Sequence, residues 1–518
     1  MGGFAAELVL NNARVITLNP FYPVAQLVAV RDGRVLGLGR ENDIAEYRGD
    51  GTVVIDCAGR TVIPAFSDAH CHLAAFAESL LSTSLNQSTA SSIADIQQAI
   101  RRSALSLPAG SWVKGFGYHE FYLDEKRHPT RWDLDEATVT HPVRLAHQSG
   151  HAHVLNSLAL EHAGISIETE EPPGGMIERD LATGEPNGIL YGMGDYLAKV
   201  VPPLDEKELE RGIRLASEYL FSRGVTSLQD ASPRNNLERW RQFRQWQDGG
   251  YVKQRITMMV GWEALGECIE RGIKTGKGNG RLRLGAVKML LDETRGQLNP
   301  PQIELNEKVF EAHRSGFQVA LHAVEETTVA AAVTALEYAL HRLPRADHRH
   351  RVEHCSVCPP EMAERLASLG AVVVTQPSFV YYNGERYLAT VPDEQRRHLY
   401  PVATLMRAGV RVGAGSDCPV VPADPMNGVF AAVTRRTMNR QALLPEEAVS
   451  PVEALRMYTE HAAYSGFEDA VSGSIAPGKN ADLVVLSADP TSVAPEEILN
   501  VAVAMTVAGG EIVWREGL

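Results

Sequence analysis

From residue 7 to residue 60 the chain alternates apolar and polar positions with a period of two. The runs are Glu7–Leu10, Arg14–Leu18, Gln26–Val30, Arg34–Leu38 and Thr52–Asp56, separated by turn residues such as Asn11-Asn12 and Asp32-Gly33. Alternation of this kind predicts short strands with one buried face. The same pattern returns near the end of the chain, at Ala481–Leu486, Val501–Val507 and Glu511–Trp514. Neither group closes a core alone, so the two predict one small β-sandwich domain formed by both termini, 1–60 with 470–518.

Between them the period changes. From about residue 220, apolar strand runs alternate with helical patterns: Val225–Gln229, Arg255–Val260, Leu284–Leu290, Phe317–His322, His350–His354, Ala371–Thr375 and Val410–Ser416. Leu237, Trp240, Phe243 and Trp246, then Val329, Val333, Leu336 and Leu340, recur at close to helical spacing. With Thr61–Leu73 as the first strand, these make eight strand–helix units. That repeat predicts an α/β fold, a (β/α)₈ TIM barrel over 61–469. It requires a large insertion after strand one, about 75–220, with its own helices and two strand-like runs, Trp112–Phe116 and Pro142–Ala146. An insertion there sits at the C-terminal face of a barrel, where barrel enzymes build their sites. Its polar residues His119, His147 and His151 are therefore placed to line a pocket.

Composition narrows the class without changing this picture. A 44% hydrophobic chain with net charge −14 and pI near 5.7 is an ordinary globular protein with no nucleic-acid surface. No apolar run reaches the 18 or so residues needed to span a bilayer, and no leader pattern opens the chain. Six scattered cysteines fit a reduced, cytoplasmic protein. Cys355 and Cys358 form a CxxC with no second pair to complete a zinc site and no redox context, and we read it as incidental.

The chemistry collects at the strand ends. His70 and His72 at the end of the first strand can point two imidazoles the same way. With 17 histidines in 518 residues, such a pair alone is weak evidence. The later strand ends add Lys288, His322, His354 and Asp417, and a barrel brings all of them to one mouth. Any one of these taken singly reads as a core histidine or a snorkelling lysine. A lysine inside the apolar run Leu284–Leu290 is different: beside cations it is driven neutral, and neutral lysine can take up CO₂ as a bidentate carbamate. A salt bridge to Asp292 is the plainer alternative.

These segments resemble the amidohydrolase superfamily, amidohydrolase-3 type, over nearly the whole chain. Pro64–Leu73 resembles its His-x-His signature, Ala286–Asp292 its lysine strand, Leu321–Glu326 and Arg351–Val357 its later histidines, and Gly413–Val420 its terminal aspartate. His128–Glu136, Ser149–Leu160 and Gly174–Leu190 resemble the insertion, and Gly473–Pro490 the closing β segment. The chain departs from the pattern at Ala65, where Gly is usual, at Glu325-Glu326, and at Asp292-Glu293-Thr294-Arg295, a loop expected to face substrate.

The resemblance implies a metal-dependent hydrolase of a non-peptide C–N bond, an amide, N-acyl or N-formyl group of a small molecule. It implies two divalent metals per chain, or one, with zinc expected and iron, manganese and cobalt also accepted by such donors: His70, His72 and Asp417 hold one, His322 and His354 the other, and carbamylated Lys288 bridges them. Asp417 moves the proton of the attacking hydroxide, and His151 meets the substrate carbonyl or the oxyanion. Tyr118, His119, Arg295 and Glu325 are further candidate substrate contacts. A homodimer is expected, and no nucleic-acid or membrane partner. Two rivals stand beside this reading. His322-x-x-Glu325 has the spacing of a mononuclear deaminase's proton-shuttling glutamate, although Lys288 then has no task. A barrel that has lost catalysis and acts as a scaffold should lack ligands, and none is missing.

Overall fold

The computed structural model describes residues 5–172, 174–294 and 296–517, without the Thr294 side chain. The chain forms two units: unit 1 is Met1–His72, Ser217–Asp417 and Ala423–Leu518, and unit 2 is Leu73–Ala216 with Cys418–Pro422.

Unit 1 is built on an eight-stranded parallel sheet: β1 (Phe66–Cys71), β2 (Val225–Asp230), β3 (Arg255–Gly261), β4 (Leu282–Leu290), β5 (Val319–Ala323), β6 (Arg351–His354), β7 (Val372–Thr375) and β8 (Arg411–Ala414). Each strand pairs with its neighbour in sequence. The strands read as near-continuous apolar runs because both faces of such a sheet are covered. The sheet curls into a (β/α)₈ barrel whose last strand meets its first. Asp417 N–H donates to the His70 carbonyl at 2.7 Å, and a Cβ added to Gly415 would fall 2.4 Å from His70 N. Only glycine permits that approach.

The covering helices follow their strands: Leu237–Asp248, Gln302–Arg314, Glu326–Arg342 and Pro360–Leu369 among them. Val329, Val333 and Leu336 form the buried face of Glu326–Arg342, as their spacing predicts. Pro360–Leu369 opens with proline at its first position and ends on Gly370 in the left-handed region, φ 67°.

Unit 1 also contains two sheets drawn from both ends of the chain. One runs Arg34–Gly39, Leu27–Arg31, Leu8–Asn11, Val53–Asp56; the other runs Glu511–Arg515, Val503–Ala508, Leu483–Leu486, Thr61–Pro64, Arg14–Ile16, Val24–Ala25. Leu8, Leu10, Val28 and Val30 share one apolar cluster with Val62, Leu483, Val485 and Val507.

Unit 2 holds a six-stranded sheet in the order Met176–Arg179, Pro186–Tyr191, Ala152–Leu155, Val143–His147, Val113–Tyr118, Thr83–Ser84. The alternation rule predicts only the Val113 and Val143 strands. It misses Pro186–Tyr191 because Gly188, at φ 99°, interrupts the apolar run. Ala152–Leu155 and Thr83–Ser84 are too short to show a period. Among the described residues no helix is long and apolar enough to cross a membrane, and all six cysteines are buried and free.

Candidate metal centre

β1 ends at His70 and His72, and both imidazoles aim Nε2 at one oxygen. Asp417 Oδ1 lies 3.0 Å from His72 Nε2 and 3.6 Å from His70 Nε2. One ligand atom from each of the three residues falls within 4.8 Å of the others. The His354 ring, at the end of β6, stands 4.8 Å from that of His70, and the His322 ring, on β5, 4.4 Å from that of His354. The strand-end reading thus brings four histidines and an aspartate to one region of unit 1.

What aims these rings lies behind them. Glu353 Oε2 takes the Nδ1 proton of His70 at 2.5 Å, and Gln376 Oε1 takes that of His354 at 2.7 Å. Carboxylate and amide oxygens only accept, so the Nε2 lone pairs of His70 and His354 are left for a ligand. His72 Nδ1 pairs with Ser232 Oγ at 3.1 Å. Glu353 is itself gripped by Arg351, Nε to Oε1 at 2.6 Å and an Nη to Oε2 at 2.8 Å, and Arg351 also reaches Gln229. Burial holds both His70 and His354 below the ordinary imidazole range, so both are neutral and able to ligate.

Asp68, one turn of pleat before His70, ties the two ends of the sheet together. Its Oδ1 accepts from His70 N–H at 3.1 Å and from Ser416 N–H at 3.0 Å, and its Oδ2 accepts from Ser416 Oγ at 2.5 Å. Burial nevertheless raises its carboxyl to about 6 against those hydrogen bonds. For Asp417 the balance is reversed: burial would raise its carboxyl, but the His72 hydrogen bond, with the imidazoles of His70 and His354 close by, holds it low. Asp417 stays ionised. His354 and Asp417 sit at φ 67° and 58°, a left-handed region that non-glycine residues occupy at a cost of about 1 kcal/mol or more.

Lys288 is 2% exposed and its Nζ has no hydrogen-bond partner. Burial pushes its ammonium down to about 8, against the opposing charges of Glu353 and Asp417. The donor set of imidazoles and carboxylate suits a divalent ion.

The other candidates stand as follows. The stretch after β4 is a hairpin, Asp292–Thr294 against Gln297–Asn299; Arg295, at its turn, lies outside the described residues. Glu325 is exposed at the start of its helix, where its carboxylate accepts from Thr328 Oγ1 at 3.3 Å. In unit 2, His151 is exposed beside Gly150. Tyr118 is fully buried in that unit's apolar core, its hydroxyl 2.9 Å from His128 Nδ1. His119 belongs to a cluster with Glu120 and His147.

Sequence reasoning finds the inward-facing ligand types and misses Asp68, Ser232, Arg351, Glu353 and Gln376, which orient them. A signal existed. Arg351 and Glu353 are an alternate-position charged pair inside an apolar strand, and Ser232 and Gln376 follow the ends of β2 and β7, strand ends left without a role.

A family model described as the amidohydrolase family matches residues 53–514. N-substituted formamide deformylase of Arthrobacter pascens is 30% identical over 535 residues, covering 97% of each chain. The crystal structure of an uncharacterized metal-dependent hydrolase from Pyrococcus furiosus is similar with TM-score 0.72 and 25% identity, covering 94% of this chain and 100% of that one. An adenosine deaminase from Xanthomonas campestris with bound zinc shares the fold at TM-score 0.54 and 14% identity, covering 98% and 93%.

Proposed function

We propose, on the premise that this chain belongs to the amidohydrolase family and is a hydrolase of carbon–nitrogen bonds other than peptide bonds, that it cleaves an amide, N-acyl or N-formyl bond of a small molecule at the barrel centre. The observation that carries this reading is the convergence of His70 and His72 Nε2 on Asp417 Oδ1 beside the buried, unpartnered Lys288. His70, His72 and Asp417 would hold one divalent ion, His322 and His354 a second, with Lys288, as its carbamate, between them. Such an ion supplies Lewis acidity and makes bound water acidic enough to attack near neutral pH.

The chain's own residues do the rest. Asp417, kept ionised by His72, His70 and His354, accepts the proton of the attacking water and returns it to the leaving nitrogen. Glu353 and Gln376 hold the rings of His70 and His354 in one tautomer. On sequence grounds alone, His151 is assigned to the substrate carbonyl. A composite terminal β-sandwich, an insertion after β1, a cytoplasmic location and a homodimer belong to the same proposal.

The test is elemental analysis of protein purified without chelator and with bicarbonate, followed by an assay on N-formyl and N-acyl amines. Two equivalents of metal with release of formate or carboxylate support the reading. One equivalent, with ammonia released from an aminated ring and activity lost in Glu325→Gln, replaces it with the deaminase. Fully active Lys288→Ala protein removes the bridge.

A further inference from the structure

Behind His70 the hydrogen bonds do not stop at Arg351. The Arg351 guanidinium directs its donors to three neighbours: both oxygens of Glu353, the Ala69 carbonyl on β1 at 2.8 Å, and Oε1 of Gln229 on β2. The Gln229 amide nitrogen donates in turn to the Ala462 carbonyl at 2.7 Å and to Ser465 Oγ at 3.2 Å. Both acceptors belong to the helix Glu460–Ser465, which comes more than 200 residues later in the chain. That helix is packed onto the barrel strands: Ala462 shares an apolar cluster with Ala69, Val372 and Val374.

These partners leave the amide one orientation. A guanidinium only donates and a carbonyl only accepts. Ser465 Oγ has the Ala462 carbonyl as its near acceptor at 2.7 Å, with Gln229 Oε1 more distant at 3.4 Å, so it meets the Gln229 nitrogen with a lone pair. The Gln229 oxygen therefore faces Arg351, and the nitrogen faces the helix. The fit is close: a Cβ added to Gly466, just past the helix, would fall 3.0 Å from Gln229 Nε2.

No other side chain of this size serves both neighbours. A carboxylate in place of the amide would set an oxygen against the Ala462 carbonyl and a second negative charge beside Arg351, in competition with Glu353. An apolar side chain would leave an Arg351 N–H buried without an acceptor, a costly state that the guanidinium escapes only by moving. The line Ala462, Gln229, Arg351, Glu353, His70 is 2% exposed or less at every member, and linked hydrogen bonds shielded from water in this way reinforce one another.

We propose that Gln229 is a positioning residue of the barrel centre: through Arg351 and Glu353 it transmits the placement of the helix Glu460–Ser465 to the His70 ring, and so to the direction of its Nε2 lone pair. This rests on the reading of His70 as a metal ligand. Outer partners of a ligating histidine set its tautomer and ring angle, and their loss typically weakens metal binding by about 10–100-fold.

The experiment uses the full chain, with zinc as the probe. Gln229→Glu and Gln229→Leu test the amide, and Gly466→Ala presses on it from the helix side; if Gln229→Leu fails to fold, the other two carry the test. Gln254→Leu is the control, a buried amide whose side chain bonds Ser217 instead. Two quantities are read: zinc affinity against a competing chelator, and, in metal-free protein, the low-field proton resonance of His70 Nδ1–H, identified by its loss in His70→Asn. Both Gln229 variants should weaken zinc at least tenfold and shift that resonance, and Gly466→Ala should do so to a smaller degree. Gln254→Leu should lower the thermal unfolding midpoint and change neither. Gln229 variants that lower the midpoint alone, with affinity and resonance as in wild type, would overturn the proposal. A wild-type chain that holds no zinc at His70 fails the metal reading instead, and the resonance then decides by itself whether Gln229 governs the ring.

Discussion

The Glu353 carboxylate sits between two partners in unit 1: Arg351 grips both of its oxygens, and His70 Nδ1 approaches Oε2 to 2.5 Å. The orientation of a candidate ligand on β1 is thereby set by a buried ion pair on β6. Glu353→Gln breaks that pair, leaves Arg351 buried and unpaired, and frees His70 to change tautomer. We expect metal affinity to fall about 10–100-fold and stability to fall by about 3 kcal/mol. Competition with a chelator and denaturant unfolding read the two effects separately; unchanged metal affinity would refute the link between Glu353 and the site.

Lys288 gives a pH prediction. Carbamate formation needs the neutral amine, and burial brings the Lys288 ammonium down to about 8 from an ordinary 10.5. At a fixed concentration of dissolved CO₂, carbamate-dependent recovery of metal-stripped protein should rise as pH passes through about 8 and level off above it. A lysine at its ordinary value would give recovery still climbing near pH 10. Because the folded value lies below the unfolded one, the folded chain binds fewer protons between the two. This group's contribution to stability therefore increases with pH across that window.

Asp417→Asn keeps an oxygen near His72 but removes the proton acceptor. Turnover measured at saturating metal should drop by about 10²–10⁴-fold, the usual range for loss of a general base. A drop that excess metal restores in full would instead confine Asp417 to ion binding.

Gly415→Ala tests how closely β8 must approach β1. The new methyl would fall 2.4 Å from His70 N, 2.8 Å from His70 Cβ and 2.9 Å from Asp68 Oδ1. The chain has to shift at both strand ends, which should cost about 1–3 kcal/mol and lower metal occupancy together with activity. Normal occupancy with normal thermal stability would show that the approach is looser than these distances imply.

The parts of this architecture that repeat were legible in the sequence. Eight apolar runs with helical patterns between them announce the barrel, and ligand-type residues at the ends of β1, β4, β5, β6 and β8 announce its centre. Asp68 was not legible, because a carboxylate inside Phe66–Cys71 has no period to betray it, and its role depends on Ser416, which follows the last strand of the barrel. Gln376 and Ser232 were missed for a related reason: an amide and a hydroxyl are common loop residues, and only the position of an imidazole edge makes them informative. In unit 2 the strand at Pro186–Tyr191 was obscured by Gly188, which weakens the alternation that marks a strand, and Ala152–Leu155 is too short to show one.

The meeting of β8 with β1 also sets a schedule. His70 and His72 leave the ribosome early, whereas Ser416 and Asp417 follow only after Leu73–Ala216 and six further strands have been made. At roughly 5–20 residues per second, tens of seconds pass with the first two imidazoles present and their carboxylate partner not yet synthesised. During that interval Phe66 and Ala69, both 0% exposed in the finished fold, have no closing strand beside them. Metal supplied to the nascent chain would find an incomplete donor set, so loading belongs after translation, and a message cut short before codon 417 should yield a product that depends on chaperones and retains no ion in the barrel.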